Sequence, residues 1–200
     1  MRTSNFLITL ILIFPLSLFA QSSAGIQEDI TGLWSGTLYS DTTQQYFKYE
    51  IVIIKDKGKY TGFSHTFFLT EGKQYYGVKK VNVKKATDGK IIILDDELLV
   101  NNYPQLAGKN IRQLNILTLE TADSVFTLKG PFVTNRTKEY QLLTGSISLQ
   151  RNTDFWQSAL IPHLKQLGRE KDLSFVKMNT PIISATVAGI TTAQHTKEKK

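Results

Sequence analysis

The sequence predicts an all-β domain: an eight-stranded antiparallel up-and-down barrel carrying a C-terminal α-helix, with a β-sandwich as the alternative. Three observations lead there. Between residues 30 and 151, short runs rich in Val, Ile, Tyr, Phe and Thr recur, separated by turn residues. The connections between the runs are short, as an antiparallel meander requires. Beyond residue 152 the apolar spacing switches from the period of a strand to that of a helix.

The first strand surrounds Trp34, with Gly32 and Gly36 on either side of it. Residues 46–54 form the second, and Lys55-Asp56-Lys57-Gly58 turns the chain into a third at 59–69. A turn at 70–73 leads to the fourth, 75–85. Thr87-Asp88-Gly89 then makes a tight turn, because glycine takes the positive φ it needs, and 90–94 is the fifth strand. Residues 101–109 are irregular. The sixth strand is 111–120, the seventh 125–129, closed by Gly130-Pro131, and the eighth 142–149. Asn152, Thr153 and Asp154 offer caps for a helix over 152–168, which Gly168 ends. Trp156, Leu160, His163, Leu164 and Leu167 share one face of it, and Pro162 is expected to bend it. The barrel domain with its helix therefore spans 28–168. Residues 169–200 are an extension with a basic tail, in which 181–190 has the texture of a ninth strand.

Residues 1–20 carry a short positive start, an apolar run at 6–14, Pro15 and a final Ala20. That is the layout of a signal peptide, so the chain is expected to be exported, periplasmic or extracellular, after cleavage near Ala20. The chain has no cysteine, which excludes disulfides, thiolate nucleophiles, Cys-bound metals and a lipidated cysteine at the junction. The net charge of +7 comes largely from lysines scattered over strand ends and turns, where they discourage edge pairing. No nucleic-acid partner is expected; an acidic polymer or anionic surface stays open. No later segment is long and apolar enough for a membrane-spanning helix.

In the first strand Trp34, Gly36 and Leu38 share one side. On a barrel reading Trp34 points inward and plugs the closed end, while Gly32 and Gly36 let the backbone bend and approach closely. Arg151 ends the eighth strand, which closure would place beside the first, so its cation can meet the indole face. With Gly32-Leu33-Trp34 and Arg151, and a helix after the eighth strand, residues 28–168 resemble the calycin superfamily, the lipocalins and similar small barrels. The resemblance implies a barrel able to hold a small apolar ligand. It names none. The lipocalin motif between the sixth and seventh strands is not evident around 121–124.

No cofactor, metal site or enzymatic activity is expected. The three histidines, His65, His163 and His195, lack metal-ligand spacing. Nucleophile-elbow, phosphate-loop and zincin motifs are missing. Asp95-Asp96-Glu97 reads as a solvated strand end, a weak calcium contact being the alternative. Two non-catalytic functions remain. One is an exported binding protein whose barrel holds a small hydrophobic molecule among Phe47, Tyr49 and Ile51 of the second strand and Phe63, His65 and Phe67 of the third. The other is a cell-envelope interaction module with a filled barrel. It would meet a protein or an acidic polymer through its surface, where Tyr39, Tyr46, Tyr75, Tyr76 and Tyr103 favour contact.

Overall fold

A computed structural model describes residues 29–70, 72–103, 111–138 and 140–177. The segments read as leader and basic tail, including the ninth-strand texture at 181–190, lie outside these. Eight strands follow one another: β1 (Gly32–Ser40), β2 (Gln45–Asp56), β3 (Lys59–Thr70), β4 (Lys73–Lys85), β5 (Ile91–Asn101), β6 (Gln113–Ala122), β7 (Val125–Thr134) and β8 (Thr144–Asn152). Each pairs antiparallel with the next, and β8 pairs with β1, so the sheet is a closed up-and-down barrel. The sandwich alternative is thereby set aside.

The turns do what their residues dictate. Lys57 and Gly58 both have positive φ, which matches the right-handed twist of a two-residue hairpin. Gly89 closes the β4–β5 turn at φ 82°. Asp123 and Ser124 close β6–β7 at φ 49° and 66°, a left-handed pair made without glycine. At the seam, Trp34 stands opposite Arg151. A Cβ on Gly36 would lie 2.2 Å from the Ser148 carbonyl oxygen, so only glycine allows β1 and β8 this close.

Three elements differ from expectation. β5 runs on to Asn101, well past Leu94. β7 does not stop at Gly130-Pro131 but continues to Thr134, because Pro131 keeps its pairing with β8 while the ladder to β6 lapses opposite it. The single helix over 152–168 is instead a 3-10 turn (Phe155–Gln157) followed by α1 (Leu160–Gln166). Pro162 is the third residue of α1, where its missing N–H has no intrahelical partner to lose, so it does not bend the helix. Trp156 falls in the 3-10 turn and is 72% exposed, off the buried face. A second 3-10 turn (Glu170–Asp172) and α2 (Ser174–Lys177) complete the described chain. Among the described residues, no helix is long and apolar enough to cross a membrane.

The apolar residues form two clusters. One fills the lower barrel, with Trp34, Ile51, Ile53, Val81, Ile93 and Leu149 in its midst. The other lies outside the barrel, where Leu160, Ile161 and Leu164 of α1 cover Leu33, Val52, Phe63 and Val78. Glu50 on the outer wall fixes this helix. Its buried carboxylate accepts hydrogen bonds from the Ser158 hydroxyl at 2.8 Å and the Leu160 N–H at 3.0 Å, satisfying donors that the helix start leaves open.

Candidate functional site

The barrel has a sealed end and an open one. At the sealed end, the fully buried Trp34 donates its indole N–H to the Ile30 carbonyl at 2.9 Å. The Arg151 guanidinium lies 4.8 Å from the Trp34 ring and 4.6 Å from that of Phe126, and it also donates to the Asp29 carbonyl. A cation sandwiched between two aromatic faces and tied to backbone holds the end of the barrel shut. Gly32, at φ 124°, lets the chain enter β1 from this contact.

Toward the other end the filling stops and a cavity of about 1180 Å³ opens to the surface. Leu38, Phe47, Phe132 and Leu143 make one apolar side of it, and Phe68 and Tyr103 another. Gly77 makes room for Tyr103: a Cβ there would sit 2.1 Å from the phenol oxygen. Below, Gln113 and Asn115 of β6 reach the Tyr49 hydroxyl at 3.4 and 3.3 Å, and the Gln113 amide donates to Asn115 at 2.8 Å. Burial, with the Asp95 charge nearby, pushes the Tyr49 phenol above its ordinary range. The same two causes, joined by Tyr140, push Tyr103 up to about 12, so both rings keep their protons as donors.

The cavity also holds an ion pair, one member of which, Asp95, the sequence predicts at a solvated strand end. Lys79 of β4 meets Asp95 of β5 at 2.5 Å, and Asp95 is only 3% exposed. The correction follows from strand parity. Lys79 shares its face with the inward Val81 and Val83, and Asp95 shares its face with the inward Ile91 and Ile93. A register shift then sets Val81 opposite Asp95 but Lys80 opposite Glu97, so Asp95 and Glu97 do not share a face. Asp95 has structural duty too. The β5–β6 ladder ends at Leu94 and Leu114, and the Asp95 carboxylate takes the next N–H, that of Gln113, at 2.9 Å.

The six residues expected to line one pocket are divided between two faces. Phe47, Tyr49 and Ile51 face the interior. Phe63, His65 and Phe67 do not: the β2–β3 register sets Ile51 opposite Ser64 and Tyr49 opposite Thr66, so Ser64 and Thr66 point in and the aromatic set points out. Phe63 there packs under α1. His65 is fully buried between Phe67 (ring centroids 3.9 Å apart), Tyr76 (5.6 Å) and His163 of α1 (5.1 Å). Neither of its ring nitrogens has a hydrogen-bond partner. Burial, then the nearby His163 and Lys48, hold it down to about 3, so the ring is neutral.

Among the described residues, no cluster of three or more His, Asp or Glu side chains is placed to hold a metal ion. Of the tyrosines read as surface contacts, Tyr46 is 73% exposed, whereas Tyr39, Tyr75, Tyr76 and Tyr103 are half-buried. Comparisons with known protein families, with curated proteins and with solved structures find no match.

Proposed function

We propose that this chain is a non-catalytic binding protein that holds one small, largely apolar molecule inside its barrel, in the manner of the lipocalins it resembles. The cavity of about 1180 Å³ carries this reading. It is concave, predominantly apolar along Leu38, Phe47, Phe68 and Phe132, and furnished with a few convergent polar groups, the composition typical of small-molecule sites. An eight-stranded barrel is also the size at which the interior either fills with side chains or holds one small ligand. Here Trp34 and its neighbours fill the lower part and leave the upper part open. The envelope-module reading has less support: four of its five tyrosines are half-buried, and the exposed Tyr46 packs its ring on Tyr39 with centroids 4.7 Å apart. Export after cleavage near Ala20 belongs to the same proposal, and N-terminal sequencing of protein from the native host would test it.

The binding experiment is titration with Nile red, a neutral dye that brightens in apolar surroundings. Saturable enhancement at one dye per chain, together with a co-purifying small molecule released on denaturation in native mass spectrometry, is the expected outcome. A chain that neither enhances the dye nor carries any bound molecule would remove the reading.

A further inference from the structure

The cavity's charges specify the kind of molecule it takes. Lys79 is the cation inside it, and Asp95 already neutralises that charge at 2.5 Å. The other polar groups at this depth, Tyr49, Gln113, Asn115 and Tyr103, are neutral. Arg112 and Glu97 reach the lining only from exposed positions, where solvent screens their charges, and the lining Asp96 is matched by Lys80 at 3.5 Å. A ligand carboxylate would therefore enter with no unmatched cation among the described lining residues to receive it, and burying an uncompensated charge is costly. A hydroxyl or amide faces no such cost. Of the three ammonium hydrogens of Lys79, one goes to Asp95 and one makes a long contact to the Ile111 carbonyl at 3.4 Å, which leaves one to donate. The Asp95 carboxylate, using Oδ2 for both Lys79 and Gln113, keeps an oxygen to accept.

We infer that the ligand is a neutral single-chain amphiphile, an apolar chain ending in hydroxyl or amide, whose polar end reaches the Lys79–Asp95 pair while the chain lies along Phe47, Phe68 and Phe132. This rests on the binding reading above. It differs from that reading in what it excludes: fatty-acid anions of the same chain length.

The test is displacement of Nile red by three ligands with twelve-carbon chains, below their critical micelle concentrations: monolauroylglycerol, laurate and dodecylamine. The monoglyceride is expected to displace the dye at about tenfold lower concentration than laurate or the amine, a difference of one good hydrogen-bonding or charge term. Laurate or dodecylamine binding as tightly as the monoglyceride would overturn the inference while leaving the binding reading intact. Failure of the dye and all three ligands to bind would sink the binding reading itself. Asp95→Asn sharpens the result, because asparagine still accepts the Gln113 N–H but leaves Lys79 unmatched: laurate should gain about tenfold over wild type. Lys79→Met is the mirror case, in which dodecylamine should gain instead. If both variants keep wild-type preferences, with circular dichroism showing them folded, the pair does not read the ligand and the inference fails. If Asp95→Asn does not fold, Lys79→Met alone decides it.

Discussion

Below Tyr49 the eight strands enclose apolar side chains packed against one another; above it the same strands enclose a cavity, an ion pair and a chain of amides. The lower half is a core in which every missing methylene is felt. The upper half keeps polar groups out of bulk water without filling the space between them, an arrangement that contributes little packing energy. Stability should therefore reside at the sealed end and binding at the open end, and substitutions can separate the two. Trp34→Ala is the largest expected effect. It removes the biggest fully buried side chain and leaves Arg151 facing a void, so a loss of about 3–5 kcal/mol is expected in urea unfolding. A loss below about 1 kcal/mol would mean that the sealed end is not the anchor of the fold.

The outer wall supplies the next contrast. Glu50 is buried outside the barrel and receives donors from the segment leading into α1. Glu50→Ala should cost about 2–3 kcal/mol, since the Ser158 and Leu160 donors lose a charged acceptor. Nile red binding should stay as in wild type, because Glu50 does not touch the cavity. Weakened dye binding in a folded Glu50→Ala protein would show that the helix-covered wall and the cavity are one unit.

His65 gives that wall a pH dependence. In the unfolded chain its imidazole takes a proton near 6.5, whereas in the folded one it does so only near 3. Between those values the unfolded state binds the extra proton, so stability present above pH 6.5 is lost as pH falls, by about 1.4 kcal/mol per unit. The groups facing the ring explain its resistance. Phe67 and Tyr76 offer apolar surface, His163 and Lys48 oppose a further positive charge, and the Glu50 carboxylate is engaged with the helix start and with Lys48 at 3.4 Å. His65→Phe should flatten the slope of unfolding free energy between pH 6.5 and 5. An unchanged slope would assign the acid sensitivity to other groups.

These regions were not equally legible. Strand number, most turns and the position of Trp34 follow from local chemistry: β-branched and aromatic runs, Asp88-Gly89, and glycines flanking an indole. The facing of β3 needed one more step. The two-residue turn at Lys57 and Gly58 sets odd-numbered residues of β2 opposite even-numbered ones of β3, so Phe63, His65 and Phe67 cannot join Tyr49 and Ile51 inside. Parity also marks Lys79 and Asp95 as inward, because each continues a line of buried Val or Ile. Their charge argued for solvent, and only tertiary pairing made burial tolerable. The register shift beside Asp96, the early end of the β5–β6 ladder and the capture of the helix start by Glu50 depend on contacts distant in sequence and leave no local signature.

The smallest expected change in stability tests the opening contrast most directly. Phe47 is half-buried on the wall of the cavity, with open space rather than packed neighbours on one side. Truncation there deletes surface that is already partly wet, and the space left behind merges with an existing cavity instead of creating one. Phe47→Ala should thus cost only about 1 kcal/mol in urea unfolding. The same substitution removes apolar wall on which a ligand chain would lie, so Nile red affinity should fall by about tenfold. Trp34→Phe, which shrinks the core but keeps a ring beside Arg151, should do the reverse: a clear loss of stability with dye affinity unchanged. If Phe47→Ala proves as destabilising as a core truncation and leaves the dye unaffected, the upper barrel is core in solution, and the division between a sealed, stabilising half and an open, binding half does not hold.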